Sequence, residues 1–204
     1  MRRIAIFPLL ALLVFPGCTA LKQCAYESSG RDEWQQPDAV IAALELPRAA
    51  RVADIGAGSG YFTRRLARAV LPDGRVIAVD VDADMNEHLR QRLANEGVTN
   101  VEIVLGEYAD PKLPDAGIDL VFTSNTAHHI EDRAAYFRNL KRDLAPGGRV
   151  AIVDYDGRKG WFVRIMGHYL PKDELLADMQ EAGYRIAADH DFLDRQSFVI
   201  FVPE

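Results

Sequence analysis

The chain has 204 residues, 49% of them apolar, and a formal net charge of −6 at pH 7. That length suits one α/β domain with a sizeable core, and the acidic balance makes the chain a poor partner for nucleic acid, whose phosphates require clustered lysine and arginine. Its two cysteines, Cys18 and Cys24, provide no disulfide framework, no cysteine-based metal site and no cysteine nucleophile in the core.

The first residues have the order of a secretory signal. Two arginines precede an uncharged apolar run from Ile4 to Phe15, and Pro16-Gly17-Cys18 follows it. Because the run is short and interrupted by proline, it does not suit a transmembrane helix. The sequence therefore predicts a signal peptide over residues 1–17 and a tether over residues 18–30.

The junction "FPGC" resembles a bacterial lipoprotein cleavage site, although Phe15 and Pro16 depart from that pattern. The resemblance implies a lipid on Cys18 and a membrane-associated location in a bacterial cell envelope. The alternative is an uncleaved anchor that holds the domain on the cytoplasmic side.

Beyond the tether, strand-like and helix-like segments alternate after a short leading helix that begins near Trp34. Strands are predicted over 51–55, 75–80, 100–106, 118–125, 149–155, 184–192 and 196–202, and helices over 61–70, 84–97, 132–144 and 171–183. Alternation favours a parallel sheet with helices on both faces, whereas the short loop between the last two strands permits only antiparallel pairing. Residues 31–204 are therefore predicted to be one α/β domain with a mostly parallel seven-stranded sheet and a C-terminal antiparallel hairpin.

The loop "DIGAGSG" connects the first strand to the next helix. Its glycines, Gly56, Gly58 and Gly60, let the backbone approach a ligand at a helix N-terminus. A dinucleotide fingerprint would require glycine at position 61, where the chain has Tyr61. The loop therefore does not match a dinucleotide-binding fingerprint.

Two carboxylates near this loop indicate which ligand. Asp54 would repel a pyrophosphate but suits a ligand that carries an ammonium and a sulfonium. Asp80, at the end of the next strand, can accept hydrogen bonds from both ribose hydroxyls, and Val81 beside it can pack against adenine. S-adenosylmethionine is the ligand that combines these groups.

Five stretches together resemble the class I S-adenosylmethionine-dependent methyltransferases: "VADIGAGSGYF", "VIAVDVD", "GEYAD", "IDLVFTSNTAHHI" and "LAPGGRVAIVDY". The resemblance implies a Rossmann-like class I methyltransferase fold, S-adenosylmethionine as cofactor, and either Glu107 or Asp110 near the adenine amino group. The predicted cofactor-binding residues are Asp54, Gly56, Ala57, Gly58, Gly60, Asp80, Val81, Glu107, Asp110 and Asn125.

The acceptor should enter beyond the C-terminal ends of the strands, where four catalytic candidates are expected: His128, His129, Asp154 and Tyr155. Methyl transfer requires mainly the alignment of a nucleophile, and a base is needed only for a protonated acceptor. Either histidine could be that base, and Asp154 could instead cap a turn.

No H-x-x-x-H or H-x-H spacing occurs among the five histidines, so no metal site is predicted. The insertion over 156–170, which ends near His168 and Tyr169, could be a lid, a membrane-facing surface or a plain connection.

The expected function is a methyltransferase acting on a small-molecule acceptor. The alternative, suggested by the export signal, is a non-catalytic envelope-associated binding protein that reuses the fold. The acceptor and the oligomeric state stay open.

Overall fold

The computed structural model describes residues 30–113, 117–159, 165 and 167–204. The predicted signal peptide, the lipidation site Cys18 and the predicted tether up to residue 29 lie outside the described residues, as do positions 160–164 and 166 of the insertion. Within the described ranges, no helix combines the length and apolar character needed to cross a bilayer.

Seven strands form one sheet in the order β3-β2-β1-β4-β5-β7-β6. The strands are β1 (Arg51–Ile55), β2 (Arg75–Asp80), β3 (Val101–Leu105), β4 (Ile118–Ser124), β5 (Leu144–Tyr155), β6 (Tyr184–His190) and β7 (Gln196–Pro203). β1 to β5 pair in parallel, and β7 runs antiparallel to both β5 and β6. This confirms the mostly parallel sheet and the C-terminal hairpin. The strand order reverses between β1 and β4, and such a reversal opens a crevice beyond the C-terminal ends of those strands.

Six described α-helices connect or flank the strands. They are α1 (Arg31–Gln35), α2 (Pro37–Ala43), α3 (Thr63–Ala69), α4 (Ala83–Asn95), α5 (Arg133–Leu140) and α6 (Lys172–Glu181). The predicted leading helix is broken in two, because Gln36 adopts a left-handed conformation with φ 45° and Pro37 begins the second helix. α4 begins where the Asp82 carboxylate accepts hydrogen bonds from the Asp84 and Met85 amides, which satisfies two amides that have no partner inside the helix.

The core covers both faces of the sheet. Along β4, Val121 packs into the cluster on one face, while Leu120 and Phe122 pack into the cluster on the other. All three side chains are fully buried, and burial of each stabilises the fold by roughly 1.5–3 kcal/mol. A sheet covered on both faces explains why its central strands are nearly continuous apolar runs.

The predicted helix over 132–144 is too long at its C-terminal end. α5 ends at Leu140, a 3₁₀ turn follows over Lys141–Asp143, and β5 already begins at Leu144. Leu144 pairs with Ile118 across a register shift, and Gly147 takes φ 79° beside it. The Pro-Gly-Gly segment therefore lies at the irregular start of β5 rather than in a separate loop.

Candidate functional site

A cavity of 740 Å³ lies at the C-terminal ends of the parallel strands. The loops after β1, β2, β3, β4 and β5 all contribute to its lining, and α1 contributes Arg31 and Trp34. This is the crevice that the reversal of strand order creates. Cavities that bind small molecules are typically 300–1,000 Å³, so a nucleoside joined to an amino acid fits this volume.

The glycine loop lies tightly against the segment that follows β4. At Gly56, where φ is 75°, a Cβ atom would come within 2.0 Å of the Thr126 Oγ1 atom. The amides of Gly56 and Ala57 both donate to the Val79 carbonyl, at 2.8 and 3.0 Å. Gly56 is therefore required both by its backbone conformation and by the close approach of two loops.

Asp80 joins the glycine loop to the end of β2. Its Oδ2 atom accepts a hydrogen bond from the Gly58 amide at 2.8 Å, and its Oδ1 atom accepts one from the Asp82 amide at 3.0 Å. A carboxylate has about four acceptor positions. Lone pairs therefore remain on both oxygens for ligand hydroxyls at the cavity, which Asp80 lines.

Asp54 is a buried carboxylic acid at the end of β1, with 2% of its surface exposed. The Thr63 hydroxyl donates to its Oδ2 atom at 2.6 Å. Burial, opposed by the Thr63 hydrogen bond and reinforced by the nearby charge of Asp80, raises the pKa of Asp54 to about 7. Asp54 therefore titrates near neutral pH at the wall of the cavity.

An aromatic wall formed by α1 and two tyrosines closes one side of the cavity. Trp34 stacks on Tyr155 with ring centroids 5.5 Å apart, and the Arg31 guanidinium lies 3.7 Å from the centre of the Tyr61 ring. The Tyr61 hydroxyl donates to Asp32 at 2.5 Å. Sequence reasoning missed Arg31 and Trp34, because the pattern of the leading segment indicated only a helix.

Burial raises the pKa values of both Tyr61 and Tyr155. Their phenols therefore stay protonated at neutral pH and act as hydrogen-bond donors. This limits the role of Tyr155, a predicted catalytic residue, to contact and donation rather than proton abstraction.

His128 and Asp154 form a buried pair in which His128 lines the cavity and Asp154 lies behind it. The Asp154 carboxylate lies 2.7 Å from the His128 Nδ1 atom and also accepts the amide hydrogens of His128 and Tyr155, at 3.1 and 2.8 Å. Because a carboxylate accepts, His128 Nδ1 carries a proton, and in the neutral ring Nε2 therefore keeps a free lone pair. Nε2 is buried and has no hydrogen-bond partner within the described part of the chain.

His129 and His168 lie against His128, with ring centroids 4.0 and 5.6 Å from its ring. All three rings line the cavity. Burial, reinforced by the neighbouring imidazoles of His128 and His168, lowers the pKa of His129, which favours its neutral form. The sequence placed His168 at the end of an insertion, and only the fold brings it to the other two.

Most of the predicted site residues line the cavity: Asp54, Gly56, Ala57, Gly58, Asp80, Val81, Glu107, Asn125, His128, His129 and Tyr155. Three predicted residues do not contribute to the lining: Gly60, Asp110 and Asp154. A Cβ atom at Gly60 would lie 2.3 Å from the Leu89 Cδ1 atom, so Gly60 permits packing between the loop and α4. The Asp110 carboxylate accepts the Lys112 amide at 2.9 Å and stabilises its own turn.

Comparisons with known proteins agree with this geometry. Residues 52–148 match a family described as a methyltransferase domain. An arsenite methyltransferase from Halobacterium salinarum is 35% identical over 103 residues, which are 50% of this chain and 26% of the relative. A ubiquinone/menaquinone biosynthesis C-methyltransferase from Pseudomonas savastanoi is 30% identical over 136 residues, covering 60% of this chain and 53% of the relative. The chain therefore spans about a quarter to a half of the length of these curated relatives.

The fold is also that of solved methyltransferases. The crystal structure of an S-adenosylmethionine-dependent methyltransferase from Aquifex aeolicus superposes with a TM-score of 0.81 at 24% identity, covering 90% of this chain and 97% of that one. The fold is therefore the Rossmann-like class I methyltransferase fold. The family match over residues 52–148 and the curated relatives agree with the predicted methyltransferase domain and its S-adenosylmethionine cofactor, and they do not favour the non-catalytic alternative.

Proposed function

We propose that the chain is an S-adenosylmethionine-dependent methyltransferase that acts on a small-molecule acceptor. One observation carries the proposal: two carboxylates, Asp54 and Asp80, flank a glycine loop whose residues Gly56 and Gly58 line a 740 Å³ cavity. The acidic balance of the chain, with a net charge of −6, argues against a nucleic-acid acceptor.

The residues of the cavity suit the separate parts of the cofactor. Ionised Asp54 offers a negative charge to an ammonium and a sulfonium, and Asp80 has lone pairs left for ribose hydroxyls. Val81 is 40% exposed at the cavity and offers an apolar surface to adenine. When bound, S-adenosylmethionine supplies an activated methyl group on sulfur, so the chain need only hold an acceptor in line with it.

The acceptor end of the cavity is proposed to be the side lined by the aromatic wall and the histidines. Trp34, Tyr61 and Tyr155 cover this side and exclude water from a reacting nucleophile. His128, held in one tautomer by Asp154, presents the Nε2 lone pair to an acidic acceptor. In this proposal Asp154 is a positioning residue, and His129 shares the acceptor side with His128.

Calorimetric titration of the full-length protein with S-adenosylhomocysteine tests the proposal. We expect micromolar binding with one site per chain and no binding of NAD, since Tyr61 replaces the third glycine of a dinucleotide loop. Gly56→Ala should abolish binding, because a Cβ atom meets Thr126 at 2.0 Å. The matched control is Gly97→Ala. Gly97 also has a positive φ, 68°, but a Cβ atom there would have no neighbour within 4 Å, so this variant loses only about 1–2 kcal/mol to backbone strain. A folded chain that binds NAD but not S-adenosylhomocysteine would refute the proposal.

We also propose that residues 1–17 direct the domain to a bacterial membrane, with Cys18 as its lipid anchor. The support is the signal-like order of the N-terminus and the "FPGC" junction. Membrane fractionation with a protease-protection assay tests this. A wild-type chain that pellets with membranes while Cys18→Ser is soluble supports lipidation, and protection from external protease would favour the cytoplasmic-facing anchor instead.

A further inference from the structure

Three histidines from two separate segments converge on one point of the cavity. His128 and His129 lie on the 3₁₀ turn Ala127–His129 after β4, and His168 lies just before α6. One ring nitrogen from each can be chosen so that all three lie within 4.8 Å of one another. The expectation of no metal site rested on spacing along the chain, and spacing does not report a ligand that arrives from a distant segment.

His128 has the features of a metal ligand that is already oriented. Its side chain is only 4% exposed, and its Nδ1 atom lies 2.7 Å from Asp154, whose own side chain is fully buried. Metal-bound histidines usually donate their other N–H to a carboxylate or carbonyl, which fixes the ring. The remaining atom, Nε2, is a buried polar atom without a hydrogen-bond partner in the described residues, which is costly unless something else binds it.

The rings of His129 and His168 complete a triangle with that of His128. Their centroids are 5.3 Å apart, and both rings meet the His128 ring within 5.6 Å. Tetrahedral zinc with Zn–N bonds of about 2.0–2.1 Å places its nitrogen ligands about 3.3 Å apart. The observed cluster therefore needs to contract by about 1.5 Å at most, which is within reach of small side-chain rotations.

From this arrangement we infer that His128, His129 and His168 bind a divalent transition-metal ion of the zinc class, with Asp154 orienting His128. Imidazole ligands suit zinc, and three protein ligands leave the fourth tetrahedral position open. The buried charge of Asp154 partly balances the charge of the ion. The open position faces the cavity, because all three histidines line it.

The use of that open position rests on the proposed function. An acceptor with an ionisable O–H or S–H group that binds there loses its proton to solvent, because the ion stabilises the anion. The anion's lone pair then forms the bond to the methyl carbon while the carbon–sulfur bond of the donor breaks, leaving the electron pair on sulfur. The ion thereby replaces proton acceptance by His128 and selects acceptors that bind metals.

Metal binding is measured without any methyl acceptor. Full-length protein, purified without a polyhistidine tag and stripped with chelator, is dialysed against Zn²⁺ and analysed for bound metal. We expect one zinc ion per chain. His168→Ala should weaken binding by more than about 100-fold. Asp154→Asn, which removes the charge and replaces one acceptor oxygen by an NH2 donor, should weaken it by about 10–100-fold. The matched control is His88→Ala, a histidine of α4 that does not contribute to this cluster.

Cobalt substitution tests the geometry and the open position. Co²⁺ in the wild-type site should give the intense visible absorption of tetrahedral coordination, and added 2-mercaptoethanol should produce a thiolate-to-cobalt band. Absence of stoichiometric metal, or equal binding by His168→Ala and His88→Ala, would overturn the inference. Binding of S-adenosylhomocysteine by the metal-free protein separates the metal site from the proposed function. If the protein binds S-adenosylhomocysteine but no metal, only the metal-site inference is refuted. If it binds metal but not S-adenosylhomocysteine, only the proposed function is refuted.

Discussion

Asp80→Ala is expected to abolish the binding of S-adenosylhomocysteine while the domain stays folded. The carboxylate accepts the Gly58 and Asp82 amides at 2.8 and 3.0 Å, so its loss frees the glycine loop and also removes the proposed acceptor for the ribose hydroxyls. Hydrogen bonds to a charged group contribute about 1.5–3 kcal/mol each. Loss of two ligand hydrogen bonds therefore predicts a rise in Kd of at least about 100-fold.

Calorimetry measures this change, and the matched control is Asp84→Ala. Asp84 is also acidic and lies in the first turn of α4, only four residues away, but its side chain is exposed and does not line the cavity. Far-ultraviolet circular dichroism confirms that both variants fold. Equal affinity in the Asp80 and Asp84 variants would show that the ligand lies elsewhere in the cavity.

Sequence reasoning predicted the strands well because their signal is local. Strands buried on both faces are apolar runs, and the helices between them show helical periodicity, so both can be recognised locally. The strand predicted over 51–55, for example, coincides with β1. The end of α5 was misplaced because Pro-Gly-Gly usually marks a loop. Pairing of Leu144 with Ile118 is a tertiary contact that local propensity does not contain.

The site was predictable where one loop carries it and not where the fold assembles it. Asp54 lies near the end of β1 and Gly56 begins the loop that follows it, and together with Asp80 at the end of the next strand they suggested the ligand. The packing of Trp34 on Tyr155 joins segments more than a hundred residues apart. The contact of Arg31 with the Tyr61 ring likewise depends on where α1 lies in the fold. The meeting of His168 with His128 likewise depends on the chain's return after β5. Long-range contacts of this kind leave no periodic trace in the sequence.

Asp54→Asn is expected to stabilise the ligand-free protein above pH 7 and to destroy cofactor binding. The pKa of Asp54 is raised by burial from 3.8 to about 7, so between about pH 4 and 7 the native state binds more protons than the unfolded state. Stability of the wild type therefore falls as pH rises through this window. At one pKa unit per 1.36 kcal/mol, the full penalty above pH 7 is on the order of 4 kcal/mol.

Thermal unfolding from pH 4 to 8 measures this effect in the ligand-free protein. The variant should have the higher Tm at pH 8. The difference should shrink toward pH 4, because the protonated wild-type carboxyl is then uncharged, as the amide of the variant is at every pH. Asp73→Asn, an exposed aspartate in the turn before β2, serves as the control and should not reproduce this pH dependence. A Tm difference that grows toward low pH would contradict the raised pKa.

The same titration should govern ligand binding in the wild type. If the ionised form of Asp54 receives the ammonium of the ligand, a pKa of about 7 leaves about one molecule in eleven competent at pH 6 and nearly all competent at pH 8, so affinity for S-adenosylhomocysteine should rise about tenfold across that range. The variant should lose this pH dependence together with most of its affinity. Such a carboxylate destabilises the empty protein and stabilises the complex, which is the trade between stability and activity expected of a residue retained for its ligand. A variant that gains stability yet still binds S-adenosylhomocysteine would show instead that Asp54 stabilises the local structure through its hydrogen bond with Thr63 and does not contact the cofactor.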